Sequence, residues 1–123
     1  MHKIAIPKSV VDSVMRSRGR AHVYDDSDPA KTALLVVDMQ NGFMMEGVAH
    51  SLCREAIDIV PNINRIAHTV RRTGGTVVWV QNAVTPETLE NWSIRVEMDG
   101  PERTATRIQS MSPGSKGYAL WAA

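Results

Sequence analysis

An unbroken aliphatic run, Ala33-Leu-Leu-Val-Val37, ends abruptly on Asp38, with Gln40, Asn41 and Gly42 close behind. Consecutive aliphatic side chains leave no polar face, so the run predicts a strand covered on both sides, as strands in a parallel α/β sheet are. Further on, Ile63, Ile66, Ala67 and Val70 recur at i, i+3, i+4 and i+7, the stripe of a helix lying on a sheet. Pro61 suits the first turn of that helix, Arg71 and Arg72 its last turn, and Gly74-Gly75 its end. Thr76-Val-Val-Trp-Val80 then predicts a second strand, closing on Gln81 and Asn82. Strand, crossover helix and strand make a βαβ unit, which is parallel and right-handed almost without exception. Direction alone therefore puts Asp38-Met-Gln40 and Gln81-Asn82 on one edge of the sheet.

The flanking segments are less regular. Val10, Val11, Val14 and Met15 sit at helical spacing and predict a short amphipathic helix over 8–17, packed across the sheet or onto a partner subunit. Asp25-Asp-Ser-Asp-Pro29 reads as a turn-rich connector. Residues 38–47 carry no periodicity and read as a loop. Thr85-Pro86 predicts an N-cap and first helical position, a second helix is expected over Pro101–Met111, and Ser112-Pro-Gly-Ser115 is a loop. Gly117–Ala123 begins something helical and stops on Trp121-Ala-Ala with no closing signal, so it reads as an interruption. The expected organisation is one partial α/β domain. Residues 1–31 form a helix and connector, and residues 32–123 the βαβ unit with its following helices.

Composition narrows the function without naming it. Hydrophobic residues make up 43% and charged residues 22%, ordinary for a globular protein. The formal net charge of +1 gives no field that calls for nucleic acid. Lys3, Lys8, Arg16, Arg18 and Arg20 make a basic N-terminal face, but no aromatic residue interleaves them for stacking on bases. The single cysteine, Cys53, excludes an intrachain disulfide, and no Cys/His cluster suggests zinc. No apolar segment approaches a membrane span and no secretory signal is apparent, so the expected location is the cytoplasm, away from membranes.

Asp38 is the first candidate for chemistry, because an ionisable group at the carboxyl end of a buried strand lies where open α/β sheets bind ligands. A carboxylate that only closes the turn after the strand is the alternative. Gln40 is a hydrogen-bonding candidate in the same cleft or a structural amide, and Asn82 a candidate contact for a substrate amide. Trp92 is placed in the pocket wall or on a packing surface, while Trp79 belongs to the core. Met44 and Met45 suit either a pocket entrance or core filling. His50 and Cys53, three residues apart, could form a thiol–imidazole pair, against an ordinary buried thiol.

Leu35-Val-Val-Asp-Met-Gln-Asn41, with the Pro61-Asn-Ile-Asn-Arg65 helix, the Gly74-Gly75 turn and Val77-Val-Trp-Val-Gln-Asn82, resembles the isochorismatase-like cysteine hydrolases. The Ile6-Pro-Lys helix and His22-Val-Tyr-Asp25 are similar to ureidoacrylate-type members. The resemblance covers almost all of this chain but about the first half of a typical member. It implies a Rossmann-like parallel sheet with helices on both faces, of which this is the N-terminal portion. It also implies a catalytic set of Asp, Lys and Cys, acting on a small amide, ureido or carbamoyl substrate with no cofactor.

Asp38 matches the acid, which would take the proton of the thiol and pass it to the leaving nitrogen. Neither Lys116 nor Cys53 matches the other two positions. A nicotinamidase-type metal site is disfavoured, since metal-binding members carry His where Gln40 stands. The family's strand order leaves the first strand with an apolar edge here, so the isolated chain is expected to be unstable, aggregated, or completed as a homo-oligomer or by a complementing chain. Two alternatives stand beside amide hydrolysis. The chain could be a noncatalytic partner subunit that supplies a half-sheet, or Asp38 could be the general acid of vinyl ether hydrolysis.

Overall fold

The computed structural model describes residues 5–22 and 24–122. Lys3, Val23 and Ala123, which enter the sequence readings above, lie outside them. Helix α1 (Lys8–Arg18) is closed by Gly19 in the left-handed region and buries none of its residues. A 3₁₀ turn at Pro29–Lys31, capped by the Asp28 carboxylate, delivers the chain into β1 (Ala33–Val37). One helical turn, α2 (Asn41–Met44), follows. Then come α3 (Glu55–Arg72), β2 (Thr76–Val80), α4 (Pro86–Asn91) and α5 (Ser93–Met111). The fold is mixed α/β, with β1 and β2 parallel and paired in register from Ala33↔Thr76 to Val37↔Val80.

Alternation along β1 turns Val36 and Leu34 toward α3, which presents Val60, Ile63, Ala67 and Val70. Only this face of the sheet is covered among the described residues. Leu35 and Val37 on the other face remain 60% and 52% exposed, so the expected two-sided burial of β1 is not met here. Ile66, placed on the buried stripe by its spacing, is exposed instead. With Ile59 and Ile63 it lines an open apolar groove of about 190 Å³ along β1.

Glycine decides how α3 turns back into the sheet. Gly74 has φ +85°, and a Cβ on Gly75 would lie 2.8 Å from the Thr32 carbonyl oxygen and 2.9 Å from that of Pro29. The helix end, the 3₁₀ turn and the start of β1 meet at Gly75 because it has no side chain.

Four further sequence expectations change. Helix α3 begins at Glu55, so Pro61 is interior rather than in the first turn. The bond its missing N–H forfeits would have reached Ile57, and both residues are exposed, so the defect is not buried. Residues 41–44 form a helical turn rather than loop, and Met44 and Met111 are core. Helix α5 starts at Ser93 and is broken at Gly100 (φ 71°, ψ 175°), a conformation open to glycine, so the expected 101–111 helix is its second half.

The last change concerns residues 117–121, which form a turn and an isolated bridge at Leu120 rather than a helix. They lie antiparallel to 39–42: Asn41 N–H donates to the Ala119 carbonyl (2.9 Å), Gly42 N–H to Gly117 (2.7 Å), and Trp121 N–H to Met39 (2.9 Å). The segment that leaves β1 needs acceptors for its backbone donors, and this strap supplies them. The expected Thr85 cap is present as a reciprocal box with Thr88.

Candidate functional site at the carboxyl edge of the sheet

Asp38 stands one residue beyond β1. Its N–H extends the ladder to the Val80 carbonyl at 3.0 Å, and its own carbonyl accepts from Gln40 N–H at 2.8 Å. Between these bonds Asp38 is held at φ 60°, the one non-glycine residue with positive φ among the described residues. Asp tolerates the left-handed region better than most residues, yet the conformation still costs about 1 kcal/mol relative to glycine. The backbone is thus turned so that a half-buried carboxylate stands at the sheet edge. That carboxylate makes no hydrogen bond or ion pair with another described residue.

Its neighbours are held by one amide. Gln40 is 0% exposed. Its Nε2 donates to the carbonyls of Asn82 (3.0 Å) and Tyr118 (2.8 Å), and its Oε1 accepts from the Asn82 N–H (2.7 Å). Two carbonyl partners and one N–H partner fix which end of the amide is nitrogen. Gln40 therefore ties the end of β1 to the end of β2 and to the C-terminal strap, and both of its donors are engaged by backbone. Gln81 Nε2 also donates to the Tyr118 carbonyl (2.8 Å). The Asn82 side chain, by contrast, has no partner among the described residues and is half-buried beside Asp38's edge.

Asp38, Gln40 and Asn82 are thus brought together. Trp92 is not: it is 63% exposed at the junction of α4 and α5. Trp79 lines a small crevice with Met39, Val60 and Trp121. The His50–Cys53 pair is not formed. Cys53 is exposed, its Sγ 3.9 Å from a Glu55 carboxylate oxygen, while the His50 ring packs edge-on against Phe43 and meets Arg107.

Sequence reasoning missed this last cluster. Asp99 accepts from Arg95 Nε (3.2 Å) and from Arg107 Nε (3.0 Å) and Nη2 (2.8 Å), bridging the two halves of α5 across Gly100. Burial pushes the Asp99 carboxyl up, but the charge and hydrogen bonds of Arg107, and then of Arg95, outweigh it and hold the group below the usual carboxylate range. Arg107 Nη1 lies 3.4 Å from His50 Nε2, and because a guanidinium only donates, that contact calls for Nε2 as the acceptor. Burial first, then Arg107 and Arg95, lower the His50 pKa, against smaller upward pulls from Asp99 and the Gly42 backbone. The i, i+4 spacing of Arg95 and Asp99 was the one local signal. The contact with His50 spans 57 residues and left none.

No three His, Cys, Asp or Glu side chains converge as a metal set among the described residues. At Asp38's edge both donors of the Gln40 amide and one acceptor site of its oxygen are engaged by backbone. No helix among the described residues is long and apolar enough to cross a membrane.

The isochorismatase domain model matches residues 32–118, well over half of the chain. The chain belongs to the isochorismatase family. A relative from Arabidopsis thaliana, named a probable inactive nicotinamidase, is 45% identical over 49 residues, which is 40% of this chain and 24% of the relative. The match thus spans about a quarter of the length of that curated relative. No solved structure matches. Within this isochorismatase domain, the matched segment runs from the start of β1 through both strands, α3 and α5 to the strap, and so contains the whole Asp38 edge.

Proposed function

We propose that this isochorismatase domain contributes the proton-transfer carboxylate of a hydrolase that cleaves a C–N bond in a small amide, ureido or carbamoyl substrate. The observation that carries the reading is Asp38 itself: a half-buried carboxylate without protein partners, held in the left-handed region at the carboxyl edge of a parallel sheet. Strain retained at such a position points toward function. In this reading Asp38 takes the proton from a cysteine thiol as sulfur attacks the substrate carbonyl, then returns it to the leaving nitrogen. Asn82 offers its free amide to the substrate. Gln40 acts through position, by fixing the spacing of the two strand ends.

In this reading the thiol and a charge-stabilising lysine are supplied by polypeptide outside residues 1–123, in a further segment or in a complementing chain. Lys116 lies in the loop after α5, and Cys53 precedes α3 beside a carboxylate; neither sits at the Asp38 edge. The open β1 edge and its apolar groove support completion of the sheet by further strands. A cytoplasmic setting and the ureidoacrylate type belong to the same reading.

A second reading is favoured by the description of the Arabidopsis relative as inactive. It takes the chain as a noncatalytic half-sheet in an assembly. Ammonia release from a panel of small ureido, carbamoyl and amide compounds, by the protein in its native assembly, separates the two. Turnover of a panel member supports the hydrolase. An assembled, folded protein that turns over none of them supports the noncatalytic partner.

A further inference from the structure

A further cavity lies away from the sheet edge. It has a volume of about 270 Å³ and is walled by the Gly47–Ala49 loop, by Thr106 and Gln109 of α5, and by Lys116 and Gly117. Asp38, Gln40, Gln81 and Asn82 do not line it. We propose that this cavity binds a small monocarboxylate, with Lys116 as its counter-charge.

Charge is the first argument. Lys116 is the sole ionisable residue in the wall, and it makes no ion pair with a described residue. Two arginines of the adjoining helix, Arg95 and Arg107, are by contrast engaged by Asp99, and Arg103 does not line the cavity. The cavity is therefore cationic with no internal carboxylate to neutralise it, and one charge is matched by one carboxylate.

Donors are the second argument. Gln109 brings a carboxamide, and the N–H groups of Lys116 and Gly117 donate to no described residue although Gly117 is buried. An unpaired buried N–H is costly and is commonly met by a ligand or water.

Rigidity is the third argument. Ser110 Oγ donates to the Val48 carbonyl (2.8 Å) and Ser115 Oγ to the Ser110 carbonyl (2.6 Å), while Asn41 Nδ2 donates to the Lys116 carbonyl (2.9 Å). The Gly47–Ala49 loop, the end of α5 and the loop after it are thereby fixed around the cavity, so little ordering cost falls on binding. The volume lies just below the roughly 300–1,000 Å³ of sites for drug-sized ligands, which selects a small molecule.

The test is a thermal melt of the purified chain titrated with sodium glycolate at ionic strength held constant with sodium chloride. A parallel titration uses inorganic phosphate. Glycolate is expected to raise the melting temperature along a saturating curve. Lys116→Gln, which removes the charge at an exposed side chain, and Thr106→Leu, which narrows the cavity without changing charge, should each raise the half-saturating concentration about tenfold or more. No shift with glycolate, a shift that never saturates, or one that both variants share with the parent overturns the site. A phosphate response that is stronger than glycolate and equally sensitive to the two variants overturns the carboxylate assignment.

Discussion

Replacing Gln40 by leucine tests how the candidate site is held. Leucine fills a similar volume but supplies no hydrogen bond. The Asn82 N–H loses its acceptor at 2.7 Å and the Asn82 carbonyl its donor at 3.0 Å. The Tyr118 carbonyl loses the Gln40 donor but keeps Gln81 at 2.8 Å. Two backbone groups are thus stranded, at about 1–3 kcal/mol each when buried. Asn82 is half-buried, so the lower part of that range applies, and the expected loss is about 2–4 kcal/mol. This is a large share of the roughly 5–15 kcal/mol that holds a domain folded. Gln40→Glu sharpens the test. An ionised carboxylate would face two carbonyl oxygens, whereas the protonated acid can donate to one of them. The folded state therefore favours the protonated form, and this variant should lose stability as pH rises above the ordinary glutamate range. Urea unfolding followed by circular dichroism measures both variants. A Gln40→Leu midpoint within about 0.5 kcal/mol of the parent, or a Gln40→Glu variant insensitive to pH, would refute the reasoning.

Three further outcomes are expected. His50 has a folded pKa below its unfolded value, so the unfolded chain binds more protons as pH falls below about 6.5 and stability drops there; His50→Gln should flatten the melting temperature between roughly pH 7 and 5.5. Gly75→Ala forces a Cβ to 2.8 Å from the Thr32 carbonyl oxygen and should cost about 1–3 kcal/mol in a denaturant melt, whereas an unchanged midpoint would show that the backbone yields freely. Asp38→Gly removes the left-handed strain and should raise stability by up to about 1 kcal/mol; a destabilised variant would mean that the carboxylate itself holds the turn.

The elements of the fold were legible where burial follows a simple period. Two aliphatic runs gave both strands, the Thr85-Pro86 pair gave the start of α4, and Gly74-Gly75 gave the end of α3. What failed was decided by tertiary partners. Residues 117–121 carry apolar residues compatible with a helix, yet the backbone donors of 41–42 hold them as a strap instead. Pro61 reads as a helix start because local chemistry favours it there, but residues 55–60 extend the helix before it. Ile66 fits the apolar stripe, yet one covered sheet face accommodates Val60, Ile63, Ala67 and Val70 instead.

At the site, parallel pairing alone placed Asp38 beside Gln81 and Asn82. Which amide is free and which is engaged depends on Tyr118, 78 residues from Gln40, and no local pattern announces that contact. The Asp99–Arg107–His50 cluster was hidden for the same reason. Its residues meet only after α5 folds against the segment beyond α2.

The central claim is that Asp38 moves the proton, and Asp38→Asn addresses it most directly. Asparagine tolerates the left-handed region, so the variant should melt within about 0.5 kcal/mol of the parent. Compared in the native assembly on a ureido or amide substrate, its kcat/KM should fall by about 10²–10⁴-fold. A folded Asp38→Asn protein that retains the parent's kcat/KM would contradict the account.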